Sequence, residues 1–345
     1  MNLERELIEI LGADGLKKNE PMSLHTSMKV GGPACLFLIP QSEDALVRTV
    51  RLLRIEDIPY FLLGRGTNVI VRDGGLSGAV VMTGSALAGV DIPAGADIPA
   101  GAGITAEANS GTVIVTAGAG ASLSSVASSA AEAGLSGMEA ISGIPGSIGG
   151  ALYMNAGAYD GEMSQIVTEA RVYDIFNDNI ITVNLAKMRL GYRMSAFQET
   201  GGVILSVTLS LSKGDPGEIR VRMRDFTKRR NDRQPVTLPS AGSFFKRPDG
   251  AYAGALIEQA GLKGHSVGGA AISEKHAGFI VNNGGATASD VLTLAREVSE
   301  KVESESGYIL EPEPRIIGQD TEQKYNSIGH RTGHLNICNN AITGE

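Results

Sequence analysis

The sequence predicts a soluble protein of mixed α and β structure, built as two or three domains. Three observations carry that prediction. At 345 residues the chain exceeds one ordinary small core. Its hydrophobic content of 42% and charged content of 20% are those of a globular protein. Early in the chain a strand, a helix, a strand and a glycine loop follow one another, the order of an α/β unit that presents a ligand at strand ends.

The elements follow in order. Residues 1–12 (MNLERELIEILG) set glutamates within an apolar periodicity, which predicts an amphipathic helix and not a signal peptide. Gly31, Gly32 and Pro33 make a turn before the buried strand at 36–39. Ser42 caps a helix to about Arg54, with Ala45, Leu46, Thr49, Val50 and Leu53 on its inner face. The strand YFLL opens into GRGTNVIVRDGGLSG, followed by the strand AVVM. Residues 87–111 are low-complexity Ala/Gly/Pro and read as an exposed excursion without chemistry. A strand TVIVTAG and a small-residue helix capped near Ser122 come next. Strands at 166–176, 180–183 and 203–211 follow, the first two joined by a hairpin at 177–179. The pattern changes near Lys213. A helix from Glu218 carries Lys228, Arg229, Arg230 and Arg233, the first three read as a solvated face. Two short strands within GGAAISEKHAGFIVN at 268–282, a long amphipathic helix at 289–306 and a strand in LEPEPRIIG complete the chain to Gly318. The polar tail beyond it reads as poorly ordered.

Charge and cysteine content narrow the function classes. A formal net charge of -8 argues against broad nucleic-acid or membrane-surface binding, while leaving room for local basic patches facing a small anion. Cys35 and Cys338 form no metal or disulfide spacing, which fits a reducing cytoplasm. No apolar run reaches membrane-spanning length. Rossmann, P-loop and zincin signatures are absent. His330, His334 and Cys338 are spaced four apart, but Gly333 and the lack of an apolar stripe speak against a helical zinc trio.

The densest chemical signal is SGIPGSIGGALYMNAGAY at 142–159. Its glycines, with Pro145, exclude a regular helix interior or central strand. Such a run either forms a nest of N–H groups around a pyrophosphate, aided by a helix starting near Ser147, or a tight turn packed on a sheet.

Four motifs occur in one order: GRGTN at 64–68, the 142–159 segment, AGSFFKRP and EPEPRIIG. In that combination the chain resembles the UDP-N-acetylenolpyruvoylglucosamine reductases of bacterial peptidoglycan synthesis, from about His25 to Gly318. It resembles the shorter subgroup, since no long insertion lies between Gly202 and Ser243. The resemblance implies an α+β protein with the FAD-binding fold of the p-cresol methylhydroxylase/vanillyl-alcohol oxidase type. Two FAD-binding subdomains are implied at 1–84 and 85–212, a substrate-binding domain at 213–318 and a tail at 319–345. It further implies non-covalent FAD, NADPH as hydride donor, and reduction of UDP-N-acetylglucosamine enolpyruvate to UDP-N-acetylmuramate in the cytoplasm, with no nucleic acid, no membrane insertion and no metal.

By motif position the resemblance places Gly64, Gly66, Thr67, Asn68, Gly143, Ile144, Pro145, Gly146, Ser147, Gly149 and Gly150 at the FAD, together with Gly31 and Gly32. Arg193 in GYRMSAF matches the catalytic arginine, Ser243 in AGSFFK the proton donor and Glu313 in EPEPR the catalytic acid. Arg233 stands where a lysine is common near the substrate diphosphate, and Arg247 where asparagine is frequent. His276 is expected to face substrate. Pro314 replaces a small apolar residue.

The chemistry is consistent with those roles. Hydride added to the terminal carbon of an enol ether leaves negative charge on the adjacent carbon and its carboxylate, which calls for a cation, Arg193, and then a proton. Glu313 orients that charge, stabilises it or joins the proton relay. Taken without the family pattern, the three residues are better read as a surface cation, a turn serine and a strand-end charge. The competing functions are a flavin-dependent alcohol oxidase or dehydrogenase and a non-catalytic nucleotide-sugar sensor.

Overall fold

Three sheets organise the chain, and a computed structural model describes residues 3–84, 86–92 and 111–321 of it. Most of the 87–111 excursion, nearly all of the tail, the His330/His334/Cys338 trio and the cysteine reading that turns on Cys338 lie outside the described residues.

The first sheet runs Leu16–Pro21, Pro33–Leu38, Leu76–Met82, Tyr60–Leu63. Its first pair is antiparallel and the others are parallel. Parallel neighbours need a crossover, which the helix Glu43–Ile55 supplies. The Ser42 hydroxyl accepts from the Ala45 N–H at 3.1 Å, and Ala45, Leu46, Thr49, Val50 and Leu53 are buried as their spacing predicts. The amphipathic helix Leu3–Leu11 packs on it, burying Leu3, Leu7 and Leu11.

The second sheet is antiparallel, in the order Asn179–Asn184, Val167–Asp174, Val203–Lys213, Thr112–Gly118, Val90–Asp91. Its hairpin turns where predicted: Asp178 takes φ +53°, and the Asp174 carboxylate accepts from the Phe176 and Asn177 N–H groups. The helix Leu123–Glu132 starts after Ser122, but the Ser122 hydroxyl pairs with Ser124 Oγ at 2.8 Å instead of capping the backbone. The first two sheets share one continuous buried core.

The third sheet, Ser240–Ser243, Phe279–Asn282, Ala270–Ile272, Ser266–Val267, is packed with the helices Ala253–Gln259 and Ala288–Ser306. It docks on the first sheet's loops. Met28, Val30 and Ile70 enter its core beside Phe244 and Ile257. Asn282 Nδ2 donates to the Met28 carbonyl at 3.1 Å. Asp73 accepts from the N–H groups of Ala288 and Ser289 at 2.8 Å each, so a carboxylate from one unit caps a helix of another. The strand Arg315–Ile317 then pairs in parallel with Val69–Val71.

The helix Pro216–Arg233 starts earlier than Glu218, at an Asp215 cap, and leans on the second unit. It touches Leu123–Glu132 and Leu135–Ser136, and Arg222 pairs with Glu139 at 2.8 Å. Among the described residues no helix is long and apolar enough to cross a membrane.

Candidate active site

Where the three units meet, two adjoining cavities of about 1050 and 550 Å³ share Gly64, Arg65, Thr67, Pro145 and Arg230 in their walls. The two glycine loops face each other here. Thr67 Oγ1 donates to the Pro145 carbonyl at 3.0 Å across the gap. The helix Ile148–Tyr153 begins where predicted, with Ser147 Oγ accepting from the Gly150 N–H at 3.2 Å.

The glycines of these loops divide by what a side chain would meet. At Gly66 a Cβ would run into the His25 carbonyl, and at Gly149 it would lie 2.7 Å from Ala119 Cβ. Those two permit packing. Gly146 holds φ +154°, closed to side chains, and its missing Cβ leaves the wall beside Thr67 open. At Gly64 a Cβ would approach Ser147 Oγ to 2.7 Å. Gly64, Gly66, Thr67, Asn68, Ile144, Pro145, Gly146, Ser147, Gly149 and Gly150 all line the smaller cavity, and Gly143 the larger. A cradle of bare backbone joined to cationic walls suits a dinucleotide cofactor with a pyrophosphate.

Arg193, Ser243 and Glu313 converge on the smaller cavity. Arg193 sits in a tight turn in which Gly191 and Met194 exchange backbone hydrogen bonds of 3.1 Å, and its own φ is +55°. Its Nε donates to Glu313 Oε1 at 2.9 Å, with only 22% and 15% of the two side chains exposed. Glu313 is fixed by its N–H to the Phe244 carbonyl at 2.8 Å. Burial pushes the Glu313 carboxyl above its ordinary pKa, and the Arg193 guanidinium pulls it only part of the way back. Ser243 follows Gly242, which at φ +83° has open space where a side chain would stand.

Five predicted residues lie elsewhere. A Cβ on Gly31 would meet Val71 at 2.8 Å and one on Gly32 would overlap the Asp73 carbonyl. These glycines allow backbones to pack, and neither lines the two cavities. Arg233 is exposed at its helix end, outside both walls. Arg247 stacks its guanidinium 4.0 Å from the Tyr252 ring centroid, while its N–H donates to the Tyr192 hydroxyl at 3.0 Å. His276 is half-buried against Phe279, its Nδ1 accepting from the Gly278 N–H at 3.1 Å. Burial pushes its pKa down. These contacts brace the loop it sits in.

Arg230, read from sequence as solvated, instead lines both cavities. Ile219, Met223 and Phe226 share its helix face at i, i+4, i+7 and i+11, the signal that could have found it. Burial pushes the guanidinium below its ordinary pKa, although arginine stays charged at neutral pH. Lys29 and Arg65 add charge to the larger cavity. Arg315 was also missed: its Nη1 donates to the Tyr153 hydroxyl at 2.6 Å, and its guanidinium lies 5.2 Å from the Phe61 and Tyr153 ring centroids.

Comparison with known proteins matches residues 34–184 to an FAD binding domain and 234–317 to the C-terminal domain of UDP-N-acetylenolpyruvoylglucosamine reductase. A UDP-N-acetylenolpyruvoylglucosamine reductase of Clostridium perfringens (strain SM101 / Type A) is 43% identical over 324 residues, 93% of this chain and 100% of that protein. One from Caldanaerobacter subterraneus subsp. tengcongensis is 45% identical over 314 residues, 91% of this chain and 97% of the relative. The crystal structure of the Thermus caldophilus reductase superposes with a TM-score of 0.68 at 33% identity, covering 86% of this chain and 97% of that one. The two-loop cradle and the AGSFFK and EPEPR contexts thus sit in an oxidoreductase scaffold with an FAD-binding domain, and the chain belongs to the UDP-N-acetylenolpyruvoylglucosamine reductase family.

Proposed function

We propose that the protein reduces UDP-N-acetylglucosamine enolpyruvate to UDP-N-acetylmuramate, a step of peptidoglycan precursor synthesis in the cytoplasm, with non-covalent FAD and NADPH as hydride donor. The supporting observation is one cavity that gathers both glycine loops with Arg193, Glu313 and Ser243. Residues 1–84 and 85–212 form the cofactor half in this reading, and 213–318 the substrate half.

The two glycine loops would hold FAD, which, once reduced by NADPH, would supply hydride chemistry at the terminal enolpyruvyl carbon. The chain's own residues handle the charge that results. Arg193 places a fixed guanidinium against the substrate carboxylate, where negative charge develops. Glu313, bonded to Arg193 Nε, sets the direction of that guanidinium. The Ser243 hydroxyl delivers the proton to the carbon bearing the ether oxygen and carboxylate. Arg230 and Arg65 offer planar donor forks to diphosphate oxygens at the seam of the two cavities.

The test is spectroscopic. Purified protein should be yellow, bleach anaerobically with NADPH, and regain the oxidised spectrum on adding the enolpyruvyl substrate. Bleaching without recovery would point to an oxidase or dehydrogenase of another alcohol. Absence of bleaching by NADPH would reject the donor.

A further inference from the structure

Two left-handed residues are joined through the turn at Gly191 beside the smaller cavity. Asn155 has φ +42° and Arg193 φ +55°, a conformation that non-glycine side chains keep only where their surroundings enforce it. Asn155 is 1% exposed. Its Nδ2 donates to the Gly191 carbonyl at 3.0 Å, and its Oδ1 accepts from the Ser164 N–H at 2.9 Å. One bond needs a donor and the other an acceptor, so only one orientation of the amide satisfies both.

The Gly191 carbonyl also accepts from the Met194 N–H, closing the turn that presents Arg193. Further bonds hold the same turn against Tyr153. Ser195 Oγ donates to the Tyr153 carbonyl at 2.7 Å, and Gln198 Nε2 bridges the Tyr153 and Arg193 carbonyls at 2.9 and 3.0 Å. Tyr153 is the last residue of the helix within the second glycine segment, and Met154 and Asn155 follow it directly. Met154 and Ala156 line the smaller cavity, whereas Asn155 between them does not.

We propose that Asn155 is a positioning residue for Arg193. Its buried amide pins the Gly191 carbonyl, so the guanidinium meets Glu313 and keeps its place relative to the glycine loop. This rests on the reading of Arg193 as the cation that receives developing charge. Asn155 itself touches neither substrate nor cofactor and acts through the turn.

Asn155→Asp is the discriminating variant. It tolerates the left-handed backbone and keeps the acceptor for Ser164, but turns a carboxylate oxygen toward the Gly191 carbonyl. In the holoenzyme, flavin occupancy and reduction by NADPH should stay within about threefold of wild type. Reoxidation by the enolpyruvyl substrate should slow by about 10²-fold above neutral pH, the usual scale for a reacting group misplaced by an ångström. Acidification restores a donor by protonating the buried carboxyl, whose pKa burial raises. Measured relative to wild type at each pH, since both carry the titration of Glu313 beside Arg193, reoxidation by this variant should therefore recover as pH falls. Asn155→Gly should be slow without that recovery. Amide exchange across residues 189–197 should quicken in both variants while residues 142–153 keep wild-type protection.

Wild-type reoxidation in Asn155→Asp, alongside slow reoxidation in Arg193→Ala, would overturn the role of Asn155 alone. Wild-type reoxidation in Arg193→Ala would instead reject the reading of Arg193. Loss of flavin or fold in both Asn155 variants would make it a structural residue and overturn the proposal.

Discussion

In the proposed reaction Ser243 would separate the two halves, because a proton donor is needed only after reduced flavin meets the enolpyruvyl group. Ser243→Ala should bind FAD and accept electrons from NADPH at near wild-type rates. Its reoxidation by substrate should slow by about 10²-fold or more in stopped-flow traces, the scale for removing a positioned acid. Ser243→Cys should keep more activity than alanine, and a fast alanine variant would shift the acid role to Glu313 or water. Arg230 is where the structure departs most from the sequence reading. It stands on the inner face of its helix and lines both cavities, while Arg233, one turn on, is exposed. Arg230→Ala should weaken binding of the anionic ligand about tenfold or more, the size of a lost charge-assisted contact. Arg233→Ala should change it less than about twofold, as a solvent-screened charge does. Equal losses in the titrations would put the diphosphate nearer the helix end. The motif residues were legible because each sits in a short local pattern. Arg230 was not, because a run of cations reads as solvated until the phase set by Ile219, Met223 and Phe226 is counted.

Helix starts were legible where the cap is local and hidden where it is not. Ser42 and Ser147 cap the helices that follow them, as short-range chemistry predicts. Ser122 occupies the same kind of position but spends its hydroxyl on Ser124. The long helix Ala288–Ser306 has a local capping box of Thr287 and Asp290 and a second acceptor, Asp73, from more than 200 positions away, which no local pattern reveals. Asp73→Ala should cost about 1–2 kcal/mol in denaturant unfolding, the range for a lost N-terminal cap. Asp73→Asn should recover part of it, since an amide oxygen still accepts. An alanine variant as stable as wild type would mean that the capping box suffices alone. Gly31 and Gly32 teach the converse: glycine pairs near a cofactor motif here serve the approach of one backbone to another.

Across the molecule the first unit is central, sharing one core with the second and another with the third. In a loop of the third sheet, His276 couples stability to pH through its burial against Phe279. Burial lowers its pKa below the ordinary 6.5, so the unfolded chain takes up the proton first as pH falls. The stability from neutral, buried His276 is complete above about 6.5 and is lost as pH drops through the lowered folded value. Urea midpoints should fall over that window in wild type and fall less in His276→Gln. An identical slope in both would assign the acid sensitivity to other groups. The sequence motifs located the cavity's walls, but long-range docking decided which side chains reach it. Glu313 illustrates the point, since its carbonyl is met by Asn68 from 245 positions upstream, in the parallel pairing of Arg315–Ile317 with Val69–Val71. A ribosome delivers residues in one direction. The glycine loops, the Arg193 turn and Ser243 all leave it before Glu313 does. During synthesis the nascent chain therefore passes through a stage with both glycine loops translated and this carboxylate missing, and Arg193 is without that partner until Glu313 and the strand Arg315–Ile317 follow to pair beside Val69–Val71.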